Sequence, residues 1–91
     1  MTYFVYLIGS YKLSKLITYV GYTNNLKKRL ELHNNGKGAK FTRGKKWRIL
    51  YSEKCGSKII AMKREYIIKK DRKFRNYIKN KVYENINFTS I

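Results

Sequence analysis

Two tyrosines, one arginine and one glutamate are the residues of this chain whose types suit the hydrolysis of a phosphodiester bond. Tyr6 and Tyr19 lie in two strand-like segments, and Arg29 follows in a basic segment. Glu65 comes much later, among lysines and arginines. The reaction needs an activated water, stabilisation of developing negative charge and help for the departing alkoxide. A tyrosine can act as a base, an arginine can clamp a phosphate oxygen, and a carboxylate can hold a divalent metal.

The acidic residues limit which metal scheme is chemically reasonable. A nuclease with two metal ions needs several carboxylates that converge on the ions. The chain has five acidic residues, and none forms an Asp-x-Asp pair or a similar motif: they are Glu31, Glu53, Glu65, Asp71 and Glu84. The composition therefore favours a site with one divalent ion.

The charge balance predicts a polyanionic partner. Lysine and arginine number 22 against 5 acidic residues, so the formal net charge is +17, and the pI is about 10.2. Such an excess is typical of proteins that bind nucleic acids. A membrane is a weaker partner, because no long apolar stretch or amphipathic anchor is present. The alternative is a lysine-rich protein from a genome of biased composition.

The length and the single cysteine bound the fold and its setting. Ninety-one residues make one small domain with one core and no room for a second recognition domain. We expect the domain to span residues 1–79 and a polar C-terminal tail to span 80–91. Cys55 alone excludes an internal disulfide or a cysteine-based zinc site. With no secretory signal at the N-terminus, we expect a cytoplasmic protein.

Residue patterns predict an α/β fold with a small, three-stranded, mixed or mostly antiparallel sheet flanked by helices. A turn or loop over 9–15 would join the first two strands into a hairpin. Thr23 or Asn24 is expected to cap the first helix, and Ser57 the second. The predicted elements are strands at 3–8, 16–21 and 47–53, and helices at 24–34, 57–70 and 71–79.

Two local patterns add candidate site residues. Side chains alternate along a strand, so Tyr19 and Gly21 share one face, and Gly21 leaves a gap there that a ligand or another backbone could approach. On the first helix, Arg29 and His33 border the apolar stripe. Taken singly, the tyrosines could be ordinary hairpin aromatics, His33 a structural residue, and Glu65 a helix ion-pair partner four residues before a lysine.

A glycine-rich basic loop follows the first helix. Its five basic residues are candidates for phosphate contacts, and its glycines would let it follow a nucleic acid backbone. These residues are Lys37, Lys40, Arg43, Lys45 and Lys46. The alternatives are a loop that only aids solubility, or phosphate binding by the basic run at 69–73 instead.

The ordered set of motifs resembles the GIY-YIG nuclease family, in its small single-domain bacterial branch. The two signature segments read Phe4-Val5-Tyr6 and Tyr19-Val20-Gly21 here. Arg29 matches the catalytic arginine of the family and Glu65 its metal-binding glutamate. The first signature has Phe and Val where the family has Gly and Ile. Tyr22 stands where excision-repair relatives have a lysine, so no role of that lysine is transferred.

The resemblance implies an enzyme of the endonuclease type that hydrolyses DNA with one Mg²⁺ or Mn²⁺ held by Glu65. It assigns Tyr19 as the general base or a proton relay, and Arg29 as the phosphate clamp. Tyr6 would orient water or substrate, and His33 would assist proton transfer or contact phosphate.

Low sequence specificity is expected, with selection by DNA shape in repair or recombination, because contacts to the phosphate backbone do not read bases. A protein partner could supply specificity. The alternatives are a non-catalytic nucleic-acid-binding module and an accessory nuclease subunit that needs a partner.

Overall fold

The sheet is organised around its central strand, β1 (Tyr3–Lys12), in a computed structural model that describes residues 2–89 and side chains as far as residue 84. β2 (Lys15–Thr23) and β3 (Arg48–Cys55) flank it in the order β2-β1-β3. Both neighbours run antiparallel to β1. The predicted fold class, a small three-stranded antiparallel sheet with helices, is therefore confirmed.

The hairpin between β1 and β2 is longer and tighter than predicted. Its ladder continues to the pair Lys12 and Lys15, so only Leu13 and Ser14 form the turn. Both have positive φ angles, 53° and 68°, which is the turn type that matches the twist of paired strands. The predicted loop over 9–15 is therefore wrong. The turn escaped prediction because Asn-Gly or Asp-Gly usually marks this geometry, and Leu-Ser does not.

The first two helices begin at polar caps. α1 (Leu26–Asn34) starts after Asn25, whose side chain accepts a hydrogen bond from the Lys28 amide at 3.0 Å. The predicted start lay one or two residues too early. α2 (Lys58–Lys70) starts after Ser57, whose hydroxyl accepts from the Ile60 amide at 3.2 Å, as predicted.

The last helix extends well beyond its predicted end. α3 (Arg72–Thr89) does not stop at Lys79, so the predicted tail is helical over residues 80–89, and Ser90 and Ile91 lie outside the described residues. No glycine or proline follows Lys79 to end the helix. The extension also reaches the hairpin: the Tyr83 hydroxyl accepts from the Leu16 amide at 3.0 Å.

Within residues 2–89, no helix is both long enough and apolar enough to cross a lipid bilayer.

The two faces of the sheet are covered by different helices. Leu30 and Leu26 of α1 pack against Tyr6 and Ile8 on one face. On the other face, α2 and α3 cover a core that consists of Val5, Leu7, Val20, Cys55, Ala61, Ile68 and Ile78. Consecutive β1 side chains point to opposite faces, so α1 and α2 approach the β1–β2 hairpin from its two sides.

The basic loop between α1 and β3 is fastened rather than free to follow a ligand. The Asn34 side chain accepts from the Trp47 amide at 2.6 Å and donates to the Trp47 carbonyl at 3.1 Å. The Trp47 indole donates to the Thr42 carbonyl at 2.9 Å. The expectation that its glycines would let the whole loop flex is therefore not supported.

Replacing Asn34 with alanine should loosen this loop and destabilise the protein. The variant cannot make the two hydrogen bonds to the Trp47 backbone, which should lower the free energy of unfolding by about 1–3 kcal/mol. Urea denaturation measures this decrease, and amide exchange at residues 37–47 should accelerate. Asn35→Ala is the matched control, because Asn35 uses its backbone rather than its side chain at the end of α1. Equal stability of the two variants would contradict the prediction.

Candidate active site

Four of the five residues predicted to be catalytic line one cleft beside the hairpin, and His33 does not. Tyr6 and Tyr19 reach it from β1 and β2, Arg29 from α1 and Glu65 from α2. The cleft measures about 460 Å³, enough for a phosphate group and several waters. Its remaining lining residues are Tyr3, Gly21, Tyr22, Thr23, Asn24 and Lys58. The structure thus brings together residues that are up to 59 positions apart, counting from Tyr6 to Glu65.

Gly21 makes room for Tyr6 rather than for a ligand. The two residues are direct partners in the β1–β2 ladder. A Cβ atom on Gly21 would overlap the Tyr6 hydroxyl and ring. The gap predicted beside Tyr19 is therefore filled by the Tyr6 phenol. Gly21 still borders the cleft, but its special contribution is the close approach of the tyrosine ring.

A buried hydrogen-bond chain fixes Tyr6. Its hydroxyl lies 2.8 Å from His33 Nε2, and His33 Nδ1 lies 2.9 Å from the Thr42 hydroxyl. That hydroxyl donates to the Ala39 carbonyl at 3.0 Å, so its oxygen must accept from His33. The network therefore assigns the proton to Nδ1 of His33, and Tyr6 donates to the bare Nε2.

His33 lies behind the cleft instead of in it. Only 1% of the residue is exposed, and both ring nitrogens are engaged within the protein. Gly38 closes over the imidazole, because a Cβ there would overlap the ring. Direct contact of His33 with phosphate, one of the two predicted roles, does not fit this position. The geometry makes His33 a positioning residue for Tyr6.

Burial keeps both members of this pair neutral. Desolvation raises the pKa of the Tyr6 phenol well above its usual value, although the positive charge of Arg29 opposes the shift. Desolvation lowers the pKa of His33, and Arg29 lowers it further. Near pH 7 the tyrosine is therefore a hydrogen-bond donor and the histidine an acceptor, which is the arrangement that the network requires.

Arg29 is available for an anion. Its side chain is half-buried beside the Tyr6 phenol, at the wall of the cleft. Among the side chains that the structure describes, no carboxylate forms an ion pair with it; the ion pairs there are Arg64 with Glu53 and Lys69 with Glu65. A cation without a counter-ion at a cleft is suited to bind a phosphate oxygen.

Glu65 fits a single hard divalent cation whose other ligands are mostly water. Its side chain is 19% exposed, and its carboxylate pairs with Lys69 at 3.3 Å, the helix ion pair noted as an alternative. Lys69 is 52% exposed, and such surface pairs are weak, so a divalent ion could replace it. Residues 2–84 contain no cluster of three or more His, Cys, Asp or Glu side chains that could hold a metal. One carboxylate with several waters is a common Mg²⁺ arrangement.

The predicted phosphate-binding loop lies next to the catalytic cleft but does not line it. Lys37, Lys40, Arg43 and Lys46 are exposed, whereas Lys45 is partly buried. The Lys45 ammonium donates to the Phe41 carbonyl at 3.0 Å and lies 5.1 Å from the centre of the Phe41 ring.

Phe41, Thr42 and Lys58 were missed by sequence reasoning. Phe41 stacks on Tyr19, with ring centroids 6.1 Å apart and planes inclined by 20°, and thus joins the basic loop to the cleft. Thr42 is fully buried and holds His33. Lys58 lies in the cleft with Tyr22 and supplies a positive charge from α2. Of the three residues, only Thr42 is in an unusual position, because it is buried in a basic loop. No pattern in the sequence indicates that burial.

The chain is similar to known proteins over most of its length. The family model described as "GIY-YIG catalytic domain" matches residues 2–79. A UPF0213 protein of Oceanobacillus iheyensis is 51% identical over 57 residues, which cover 62% of this chain and 66% of that protein. A UPF0213 protein of Bacillus licheniformis is 45% identical over 73 residues, or 77% of this chain and 75% of that one.

One solved structure is also similar. The solution structure of a UPF0213 protein from Bacillus halodurans is 34% identical, with a TM-score of 0.46, and covers 89% of this chain and 86% of that one. The match to the O. iheyensis protein spans just under two thirds of that relative's length. The names of these relatives state no substrate or reaction.

The buried histidine should make stability fall in mild acid. Because the pKa of His33 in the folded state lies below its unfolded value of 6.5, the unfolded state binds more protons below that pH. The free energy of unfolding should therefore be at its full value above pH 6.5 and should decrease as the pH falls towards the folded pKa. Urea denaturation across pH 4–8 measures this profile. In His33→Gln, which cannot gain a proton in this range, the profile should be flatter, and identical profiles would contradict the prediction.

Proposed function

The chain belongs to the GIY-YIG family, a nuclease superfamily, and we propose that it is a divalent-metal-dependent endonuclease that hydrolyses DNA phosphodiester bonds. The proposal rests on one observation: Tyr6, Tyr19, Arg29 and Glu65 line a single cleft. The net charge of +17 supports DNA as the substrate, since its phosphate backbone would be attracted to this surface.

Tyr19 is the better base of the two tyrosines. Tyr6 is only 3% exposed, and burial raises the pKa of its phenol, so ionising it is costly. Its proton is already donated to His33. Tyr19 is half-buried and borders the cleft. Tyr19 therefore takes the proton of the attacking water as a phenolate, or relays it by passing on its own phenolic proton, while an oxygen lone pair of Tyr6 orients that water.

Arg29 stabilises the negative charge that develops on the phosphate oxygens as the water attacks. Its guanidinium can bind two oxygens at once and is already oriented by its place beside Tyr6. Lys58 adds a second cation to the same cleft, which Tyr22 also lines.

Glu65 would hold one Mg²⁺ or Mn²⁺ through its carboxylate, with waters as the other ligands. When bound, such an ion acts as a Lewis acid towards phosphate oxygens and stabilises the leaving alkoxide. Before the ion binds, Lys69 neutralises the carboxylate, so the site does not leave an unpaired charge.

Selection of substrate would depend on DNA shape rather than on base sequence. The basic groups beside the cleft are lysines and arginines on an exposed loop, which suit phosphates and do not read base edges by themselves. Action on branched, nicked or flapped DNA in repair or recombination fits this surface, and a protein partner could add sequence specificity.

Removing any one of three cleft side chains should abolish cleavage. Glu65→Ala, Arg29→Ala and Tyr19→Phe should each lower the rate by about 10²-fold or more, because each group acts on charge or protons in the transition state. The assay follows plasmid, flapped and branched DNA with Mn²⁺ or Mg²⁺, and chelation with EDTA should stop the reaction.

The matched controls are Glu31→Ala and Tyr77→Phe, which change exposed residues outside the cleft and should leave the rate unchanged. Unchanged cleavage in all three cleft variants would mean that another site or a contaminant does the chemistry. Binding without cleavage on every substrate would instead favour a non-catalytic nucleic-acid-binding module.

The basic loop should contribute to the salt dependence of DNA binding. Removing one cation that binds a duplex phosphate should reduce the log–log salt slope by roughly 0.9, because one fewer counterion is released. Replacing Lys37, Lys40 and Arg43 together with alanine should therefore flatten the slope by about two to three units. Binding isotherms across a series of salt concentrations, in EDTA, measure the slope.

A second triple variant, with Lys70, Arg72 and Lys73 replaced by alanine, removes the same charge from exposed positions around the α2–α3 junction. If only this variant flattened the slope, the phosphate contacts would lie on the helices and the loop would be a bystander.

A further inference from the structure

The tip of the β1–β2 hairpin has a side chain that is unusual for its place. Leu13 is 93% exposed and has a φ angle of 53°. A leucine is disfavoured in this left-handed conformation and gains no burial in return. The turn would be more stable with asparagine or glycine, so neither turn geometry nor packing accounts for a leucine here.

The hairpin is stiff enough to hold that side chain in place. Its ladder is paired up to Lys12 and Lys15, directly beside the turn. Behind the tip, the Tyr83 hydroxyl accepts from the Leu16 amide at 3.0 Å, and the Tyr83 ring meets Tyr11 edge-on at 6.4 Å. α3 therefore braces the hairpin from the side.

Basic residues extend from the hairpin tip towards the catalytic cleft. Lys12 and Lys15 are exposed on either side of the turn. A second cleft, of about 570 Å³, lies between the hairpin end and the basic loop and is lined by Ser10, Tyr11, Lys12, Arg43, Gly44, Lys45 and Lys46. Phe41 of the same loop stacks on Tyr19. A DNA backbone bound along these groups would run from the tip to the cleft.

We propose that Leu13 is a wedge that enters the base stack of bound duplex DNA at a nick, mismatch or branch, and so determines where the duplex is cut. The inference rests on the proposed nuclease function and names the feature that would select shape. Exposed leucines flanked by cations act in this way in proteins that kink DNA, and entry is cheapest where the stack is already interrupted.

The strand geometry fixes the distance between wedge and cut. Leu13 and Tyr19 are six residues apart along the β2 side of the hairpin. At roughly 3.3 Å per residue this is about 20 Å, or about six base pairs at ~3.4 Å each. With the duplex axis along the hairpin, cleavage is therefore expected about six nucleotides from the interrupted step.

Binding in the absence of cleavage tests the wedge directly. In a Glu65→Ala background, the protein is titrated into a duplex with a nick beside 2-aminopurine, and into the same duplex without the nick. Binding of nicked DNA should increase the 2-aminopurine fluorescence, because the base is unstacked. Leu13→Asn should abolish this increase and weaken binding to nicked DNA by roughly tenfold, while intact-duplex affinity stays the same.

Leu13→Met is the matched control, since it keeps an apolar side chain at the tip and should retain both effects. Asparagine tolerates a positive φ, so Leu13→Asn should melt no lower than the parent protein. If Leu13→Asn increased the 2-aminopurine fluorescence as much as the parent protein does, the wedge proposal would be overturned. An equal decrease of affinity for nicked and intact DNA would also overturn it, because that result indicates a simple backbone contact.

A cleavage experiment supplies the distance. With Glu65 intact and Mn²⁺ present, cuts on nicked DNA should cluster about six nucleotides from the nick, and Leu13→Asn should scatter them. Clustering at the nick itself in both proteins would overturn the proposed spacing. If no DNA is cut, the nuclease proposal fails, but the fluorescence result still decides whether Leu13 is a wedge.

Discussion

The buried hydrogen-bond chain from Thr42 through His33 to Tyr6 is the constraint on which the site depends. It joins the basic loop, α1 and the central strand, and each link has a fixed donor and acceptor. Gly21 and Gly38 are required beside it, because any larger side chain would enter the space of Tyr6 or His33. Since the chain is satisfied before any ligand arrives, the Tyr6 phenol is oriented in advance, and no reorganisation is needed when substrate binds.

Three of the five acidic residues of this basic protein make defined side-chain contacts, and one of the three, Glu65, lines the cleft. Glu53 accepts two hydrogen bonds from Arg64, at 2.6 and 2.8 Å, and one from the Tyr51 hydroxyl at 2.6 Å, which ties β3 to α2. Asp71 accepts from the Phe74 amide at 3.0 Å and caps α3. Glu65 alone faces Arg29 across the cleft. An anionic substrate therefore meets a positive field with one local exception, the Glu65 carboxylate, which is the acidic group among the described lining residues and is suited to a cation.

Local sequence patterns predicted the helices and strands, whereas the features that involve contacts between distant residues could not be predicted from those patterns. Strand alternation placed Tyr6 and Tyr19 correctly, and Ser57 marked the start of α2 because capping is a local interaction. The Leu13–Ser14 turn lacks the usual Asn-Gly signal, and the extra turns of α3 bring Tyr83 to the Leu16 amide, 67 residues away in sequence, which no local pattern predicts. The role of His33 could not be read from α1 alone, because its two partners come from β1 and the loop. The order of the motifs predicted the residues that line the cleft, whereas the neighbouring residues that orient them were identified only in the folded structure.

The two tyrosines show how one residue type acquires different chemistry from its surroundings. They lie on neighbouring strands and on the same face of the sheet, since Ile8 pairs with Tyr19 and Tyr6 with Gly21. Tyr6 lies under α1 and donates to a bare imidazole nitrogen; burial raises the pKa of its phenol and favours the neutral form, although Arg29 opposes this shift. Tyr19 lies two ladder pairs closer to the turn, where it is half-buried and Phe41 stacks on its ring. The ring contacts with Phe41 and His33 fix its plane, while its edge of the cleft stays open to water. Two residues of the same type can therefore take different roles, one orienting and one accessible, because their ladder positions differ by two residues.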